Sequence, residues 1–139
     1  MIAYVDTSVV LQFILEGDVA LNRAFEFPTT VSSELLEIEA VRTLERLRMQ
    51  RVLDDQTRAE ATIRLQSVLD ALDVWEISRA VKTRSRDAFP TIIGTLDAIH
   101  LATALCHPEA REPKGIGVFT YDRQMALCAA ALGMTTPLG

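Results

Sequence analysis

The sequence predicts an α/β protein in which a parallel sheet is covered by helices on both faces, and three observations carry that prediction. Short β-branched or apolar runs at residues 2–5, 29–31, 74–77 and 116–120 alternate with longer stretches of helical periodicity. With 49% hydrophobic residues and only 6% aromatic ones, the composition fits a compact helix-rich or α/β core and excludes disorder. A chain of 139 residues is long enough for one domain with a sizeable core and too short for two, so a single domain over residues 1–139 is expected.

Each element follows from local chemistry. Residues 2–5, Ile-Ala-Tyr-Val, have the character of a buried strand, and Asp6-Thr7-Ser8 offers oxygens suited to capping the helix expected from Ser8 to about Glu16, closed by Gly17. A second short helix is expected over residues 18–27 before Pro28, and a short strand at 29–31. Ser32 and Ser33 read as caps of a long helix over residues 34–51, where Leu36, Ala40, Val41, Leu44 and Leu47 form an apolar arc and Arg42 and Arg46 lie beyond it. Glu39 falls at the border of those surfaces, placed either to lean inward toward the end of the first strand or to pair with Arg42 in solvent.

Asp54 or Asp55 caps the next amphipathic helix, through about Leu72, with Ala61, Ile63, Leu65, Val68, Leu69 and Leu72 as its apolar positions. A strand at 74–77 and a short helix capped by Ser78 follow. That helix carries the densest positive stretch, Arg79, Lys82, Arg84 and Arg86, which reads as a solvated face or as a phosphate contact surface. Residues 90–96 form a loop into Asp97, which opens a helix, 97–106, apolar nearly all round and therefore packed deep. His100, one turn on, reads as a hydrogen-bonded buried histidine in preference to a ligand. After a loop at 107–115, the strand at 116–120 runs into Thr120-Tyr121-Asp122 and a helix over 123–132 closed by Gly133, repeating the opening arrangement. Residues 134–137 are expected to add a last edge strand.

Composition also excludes function classes. A net charge of −5 argues against a protein that coats phosphates generically, although acids gathered at one site and rimmed by arginines give the same total. Cys106 and Cys128 lack zinc-site or disulfide-framework spacing and read as small hydrophobes. The chain opens on a strand without a signal peptide and has no membrane span, so a cytoplasmic protein that does not engage membranes is expected.

The chemistry lies in four carboxylates. Asp6 and Asp122 each follow an apolar strand, Asp97 opens a buried helix, and Glu39 borders a buried face. Right-handed crossovers gather strand ends and helix starts at one edge of a parallel sheet, where ligands bind. Capping alone accounts for Asp6, and the helix dipole alone accounts for Asp97. If all four converge, the repulsion is large, because two unit charges about 4 Å apart at an effective dielectric near 20 cost about 4 kcal/mol. Such a cluster binds a cation or holds protons, and an all-oxygen donor set suits Mg²⁺ or Mn²⁺ rather than zinc. Magnesium shared with phosphate points to phosphoryl transfer or phosphodiester hydrolysis, and the lack of a glycine-rich phosphate loop argues against a nucleotide kinase.

Four segments, Asp6-Thr7-Ser8, the run from Ser33 to Arg42, Leu96-Asp97-Ala98-Ile99-His100-Leu101-Ala102-Thr103-Ala104, and Thr120-Tyr121-Asp122-Arg123 with Leu132-Gly133, resemble in order and spacing the PIN domain. Within it they look most like the VapC-type toxins of bacterial toxin–antitoxin pairs, and the resemblance covers essentially the whole chain. It implies a three-layer fold with a five-stranded parallel sheet flanked by helices, and Mg²⁺-dependent endoribonuclease activity. Carried over residue by residue, it makes Asp6 and Asp97 the main metal ligands, Asp122 a direct or water-mediated ligand, and Glu39 an orienter of metal or water. Thr120 would hydrogen-bond within the cluster, with Thr7 and Ser8 assisting, and Arg42, Arg46, Arg84 and Arg86 are candidates for contact with RNA or an antitoxin. The resemblance also implies a homodimer and a cognate antitoxin protein.

Two other readings compete. A non-catalytic PIN-like protein-binding module would keep the acidic cluster only as a residue of ancestry, although such a module needs no metal-compatible quartet. A small-molecule phosphatase would keep its nucleophile at Asp6, but Ser8 stands where those enzymes carry a second aspartate.

Overall fold

The computed structural model describes residues 1–139. Four strands, β1 (Ile2–Val5), β2 (Thr29–Ser33), β3 (Asp73–Trp75) and β4 (Ile116–Phe119), form one parallel sheet in the order β3-β2-β1-β4. Between β1 and β2 run α1 (Thr7–Glu16) and α2 (Ala20–Ala24). Between β2 and β3 run α3 (Leu35–Met49) and α4 (Asp55–Ala71). Between β3 and β4 run α5 (Arg79–Ser85) and α6 (Thr95–Cys106), and α7 (Arg123–Ala131) follows β4. The expected fold class stands, with four strands in place of five. The last segment is reduced to one parallel bridge, where Thr135 pairs with Gly117 through bonds to Val118 N–H and the Ile116 carbonyl, and Pro137, lacking an N–H, cannot extend the ladder.

Strand alternation divides the core in two. Ala3, Val5 and Phe119 face a cluster built with Val9, Val10, Leu36, Ala40, Leu44 and Leu65 from α1, α3 and α4. Tyr4, Ile116 and Val118 face Leu101, Ala104, Met125, Cys128 and Ala129 from α6 and α7. Both sheet faces are therefore covered, as an all-parallel sheet requires.

The order in which strands are added to the sheet reverses between β1 and β4, which run parallel. The crossover from β1 leads to β2 on one side, while α7 leaves β4 toward Thr135 on the other. The C-terminal ends of β1 and β4 thus flank the crevice in which open α/β sheets place their ligands.

Several boundaries differ from expectation for physical reasons. Ser32 and Ser33 belong to β2, where the Ser32 hydroxyl donates to the Val5 carbonyl at 2.6 Å, so sheet pairing outweighs their capping tendency; only Ser33 also accepts from a helix N–H, that of Leu35. The second helix shrinks to Ala20–Ala24, with the Asp18 carboxylate accepting from Ala20 N–H ahead of it. The third strand is Asp73–Trp75, because the Ile77 N–H turns to Glu34 Oε1 at 2.6 Å. The deep helix starts at Thr95, two residues early, which puts Asp97 inside its first turn. In α4, Ile63 faces solvent instead of joining Ala61, Leu65 and Val68 inside.

Candidate functional site

The site is assembled at the C-terminal edge of β1 and β4. Asp6 directly follows β1 and is the N-cap of α1, its Oδ1 accepting from Val9 N–H at 3.4 Å, so capping and site placement are one geometry. The carboxylate is buried and both oxygens are held. Ser8 Oγ donates to Oδ1 at 2.6 Å, and Thr120 Oγ1, from the end of β4, donates to Oδ2 at 2.6 Å. Ser8 in turn accepts from Tyr121 N–H, tying the start of α1 to the loop after β4. Burial pushes the Asp6 pKa up, and the bonds from Ser8 and Thr120 pull against it. Asp122 caps α7 through Oδ1, which accepts from the Gln124 and Met125 N–H groups at 2.9 and 3.1 Å.

Glu39 leans inward. The buried stripe of α3 is Leu36, Ala40 and Leu44 flanked by Leu35, four residues before Glu39, while Val41 on the opposite flank is exposed and departs from the expected arc. Its expected solvent partner, Arg42, makes no ion pair. Glu39 Oε1 instead accepts from Thr7 Oγ1 at 2.6 Å and meets His100 Nε2 at 2.5 Å. Burial works against its charge, but those two bonds and the neighbouring His100 outweigh it and hold the carboxyl below the usual glutamate range.

Asp97, half-buried, carries the electrostatic strain of the arrangement. No side-chain partner holds it. Burial, then the charges of Asp122, Asp6 and Glu39, against a smaller pull from His100, raise its pKa from 3.8 to about 6. That all three other carboxylates act on Asp97 is the electrostatic mark of one acidic face. Neither Asp6, Asp97 nor Asp122 is paired with a lysine or arginine. In the side-chain conformations present, no three histidine, cysteine, aspartate or glutamate groups stand in an arrangement that could grip a metal ion. By their chemistry alone, an all-carboxylate set of oxygens suits a hard cation such as Mg²⁺ or Mn²⁺ rather than zinc.

The four arginines divide. Arg42 and Arg46 are exposed on α3 and line a shallow groove with Glu45, Met49 and Gln50, and Arg86 is exposed beyond α5. Arg84 is committed within the protein, its guanidinium lying 4.1 Å over the Phe89 ring and donating to the Ala88 carbonyl at 3.1 Å. Tyr4, to which the sequence alone assigns no role, places its hydroxyl 2.7 Å from His100 Nδ1. Its signal was a tyrosine in the middle of a buried strand, where the hydroxyl requires a partner.

This arrangement, acids at the switch point of a parallel sheet wrapped on both faces, is that of a PIN domain. The PIN domain family model matches residues 3–130, and the chain belongs to that family, whose members are generally nucleases. Among solved structures, the chain is similar to VapBC2 from Rickettsia felis bound to a DNA fragment from its promoter, with 12% identity, a TM-score of 0.70, and 98% of this chain and 97% of that one covered. It is similar to a toxin–antitoxin complex from Klebsiella pneumoniae, with 21% identity, a TM-score of 0.62 and 97% of each chain covered. A third likeness, PAE2754 from Pyrobaculum aerophilum, has 20% identity, a TM-score of 0.58, and 96% of this chain and 82% of that one covered. No curated protein matches by sequence.

Proposed function

We propose that this chain is a Mg²⁺-dependent endoribonuclease acting as the VapC-type toxin of a toxin–antitoxin pair. The observation that carries the reading is the unpaired acidic face itself. No lysine or arginine pairs with Asp6, Asp97 or Asp122, and the pull of His100 does not offset the repulsion, so Asp97 holds a proton to about pH 6; a cation from outside would relieve that face.

Asp6 and Asp97 are the direct ligands in this reading, Asp122 a direct or water-mediated one through Oδ2, and Glu39 an orienter through its free Oε2. Mg²⁺, or Mn²⁺ in its place, would acidify a bound water and neutralise charge growing on the attacked phosphate. The protein's own part is preorganisation. Ser8 and Thr120 fix the plane of the Asp6 carboxylate, the α7 amides fix Asp122, and Thr7 fixes Glu39, so that little reorganisation is left for the reaction. Arg42, Arg46 and Arg86 are free to meet an RNA backbone or an antitoxin, whereas the commitment of Arg84 to Phe89 argues for a structural role there.

The structural neighbours from Rickettsia felis and Klebsiella pneumoniae are toxin–antitoxin assemblies, which supports an antitoxin partner for this chain. We assign a homodimer and a cytoplasmic setting on the same reading; no helix is long and apolar enough to cross a membrane.

The test is cleavage of a labelled structured-RNA pool by the purified protein, with Mg²⁺ or Mn²⁺ and with EDTA. Cleavage that requires the metal and is abolished in Asp6→Asn and Asp97→Asn, both still folded by circular dichroism, is the expected result. Cleavage indifferent to EDTA and to both substitutions refutes it. Absence of cleavage together with no heat on Mn²⁺ titration gives the protein-binding module instead.

A further inference from the structure

Glu39 is tied to the interior by a chain of side chains that the acidic face does not require. Tyr4 Oη lies 2.7 Å from His100 Nδ1, His100 Nε2 lies 2.5 Å from Glu39 Oε1, and Thr7 Oγ1 donates to the same Oε1 at 2.6 Å. These residues come from β1, α6, α3 and α1, so four of the elements around the site meet in one hydrogen-bonded group. His100 is 2% exposed and Tyr4 fully buried, with the tyrosine edge-on to the imidazole at a centroid separation of 5.9 Å. Both ring nitrogens are thus engaged at once, Nε2–H donating to Glu39 while Nδ1 faces the Tyr4 hydroxyl.

The consequence lies in how the two oxygens of Glu39 are used. Oε1 is occupied by Thr7 and His100, while Oε2 makes no hydrogen bond. We propose that His100, anchored by Tyr4, is a positioning residue that clamps Glu39 by Oε1 and thereby presents Oε2 alone to the site. Glu39 then acts through a single oxygen, as a monodentate ligand or as an acceptor for one water, and never as a bidentate chelator. The assignment rests on the nuclease reading for its consequence in catalysis, but the clamp itself has a readout that does not.

That readout is the imidazole nitrogens. The chain has two histidines, so His100 and His107 are separated in ¹⁵N-edited spectra by a single substitution at His107. The His100 signals are expected to shift in Glu39→Gln and in Tyr4→Phe and to stay in place in Asp122→Asn; a His100 ring indifferent to Glu39→Gln overturns the clamp. In the RNA cleavage assay, His100→Leu is expected to lower kcat by about 10- to 100-fold, the range for removing a group that orients a metal-site carboxylate, with KM changed far less. His100→Gln, which returns an N–H donor near the Nε2 position, restores most of kcat. Because His100→Leu empties a buried polar site and is at risk of unfolding, the glutamine variant and the Mn²⁺ affinity of each folded protein decide the case. Folded His100→Leu protein with wild-type kcat and wild-type Mn²⁺ affinity refutes the positioning role. If the wild-type protein cleaves no RNA, the nuclease reading falls by itself, and the dependence of the His100 ring signals on Glu39 still decides the clamp.

Discussion

Replacing Asp97 by asparagine should make the metal-free protein more stable above pH 6, although the position faces the centre of the proposed site. In the folded chain the Asp97 pKa is raised from 3.8 to about 6, first by burial and then by Asp122, Asp6 and Glu39. A rise of about two units corresponds to a ceiling of about 3 kcal/mol at 1.36 kcal/mol per unit. Asp97 is half-buried, so solvent screening reduces this to about 1 kcal/mol. The sign follows from proton counting. Below 3.8 both folded and unfolded chains hold the proton and Asp97 contributes nothing; between 3.8 and about 6 the unfolded chain releases it first, so stability falls as pH rises; above 6 the full penalty applies. Urea unfolding in EDTA should therefore show Asp97→Asn about 1 kcal/mol more stable than wild type at pH 7.5, with the gap closing by pH 4. In Mg²⁺ or Mn²⁺ the order should reverse, because a ligand that binds only the folded wild type stabilises it by mass action. A variant equal to or weaker than wild type in EDTA at pH 7.5, or a gain that does not change with pH, refutes the argument that burial and the neighbouring carboxylates penalise the charged form of Asp97.

Two further outcomes follow from the same geometry. Thr120→Val removes the 2.6 Å donor to Asp6 Oδ2 while keeping side-chain volume, and should cost about 1.5–3 kcal/mol at neutral pH, as for a hydrogen bond to a charged group, with the loss shrinking in acid as Asp6 takes a proton; an unchanged urea midpoint removes Thr120 from the network. Gly17→Ala, at φ 68° where α1 ends, should cost about 1 kcal/mol from left-handed backbone strain alone, since no atom lies within 4 Å of an added Cβ; a loss of several kcal/mol in thermal unfolding contradicts that account.

The fold class was legible because it depends on periodicity and punctuation, both local. Ile2–Val5 followed by Asp6, Ser78 opening α5, Asp54 opening α4 and Gly17 closing α1 all stand where side-chain chemistry puts them. The same locality set the limits. Ser32 and Ser33 are good caps in isolation, and only the neighbouring β1 and β3 make them strand residues. Residues 134–137 read locally as a last edge strand, but at the edge of β4 they make just one bridge, at Thr135.

At the candidate site the division is sharper. By itself the sequence determined that Asp6, Asp97 and Asp122 stand at strand ends and a helix start, since a carboxylate after an apolar run has few other places to go. Only the tertiary structure decided that Glu39 turns to His100 and Thr7 instead of Arg42, that Arg84 spends its charge on Phe89, and that Asp97 is left without a partner. The physical reason is range. Periodicity and capping act over one or two helical turns, whereas the Glu39–His100 bond spans 61 positions of chain and exists only once the sheet has brought α3 and α6 together.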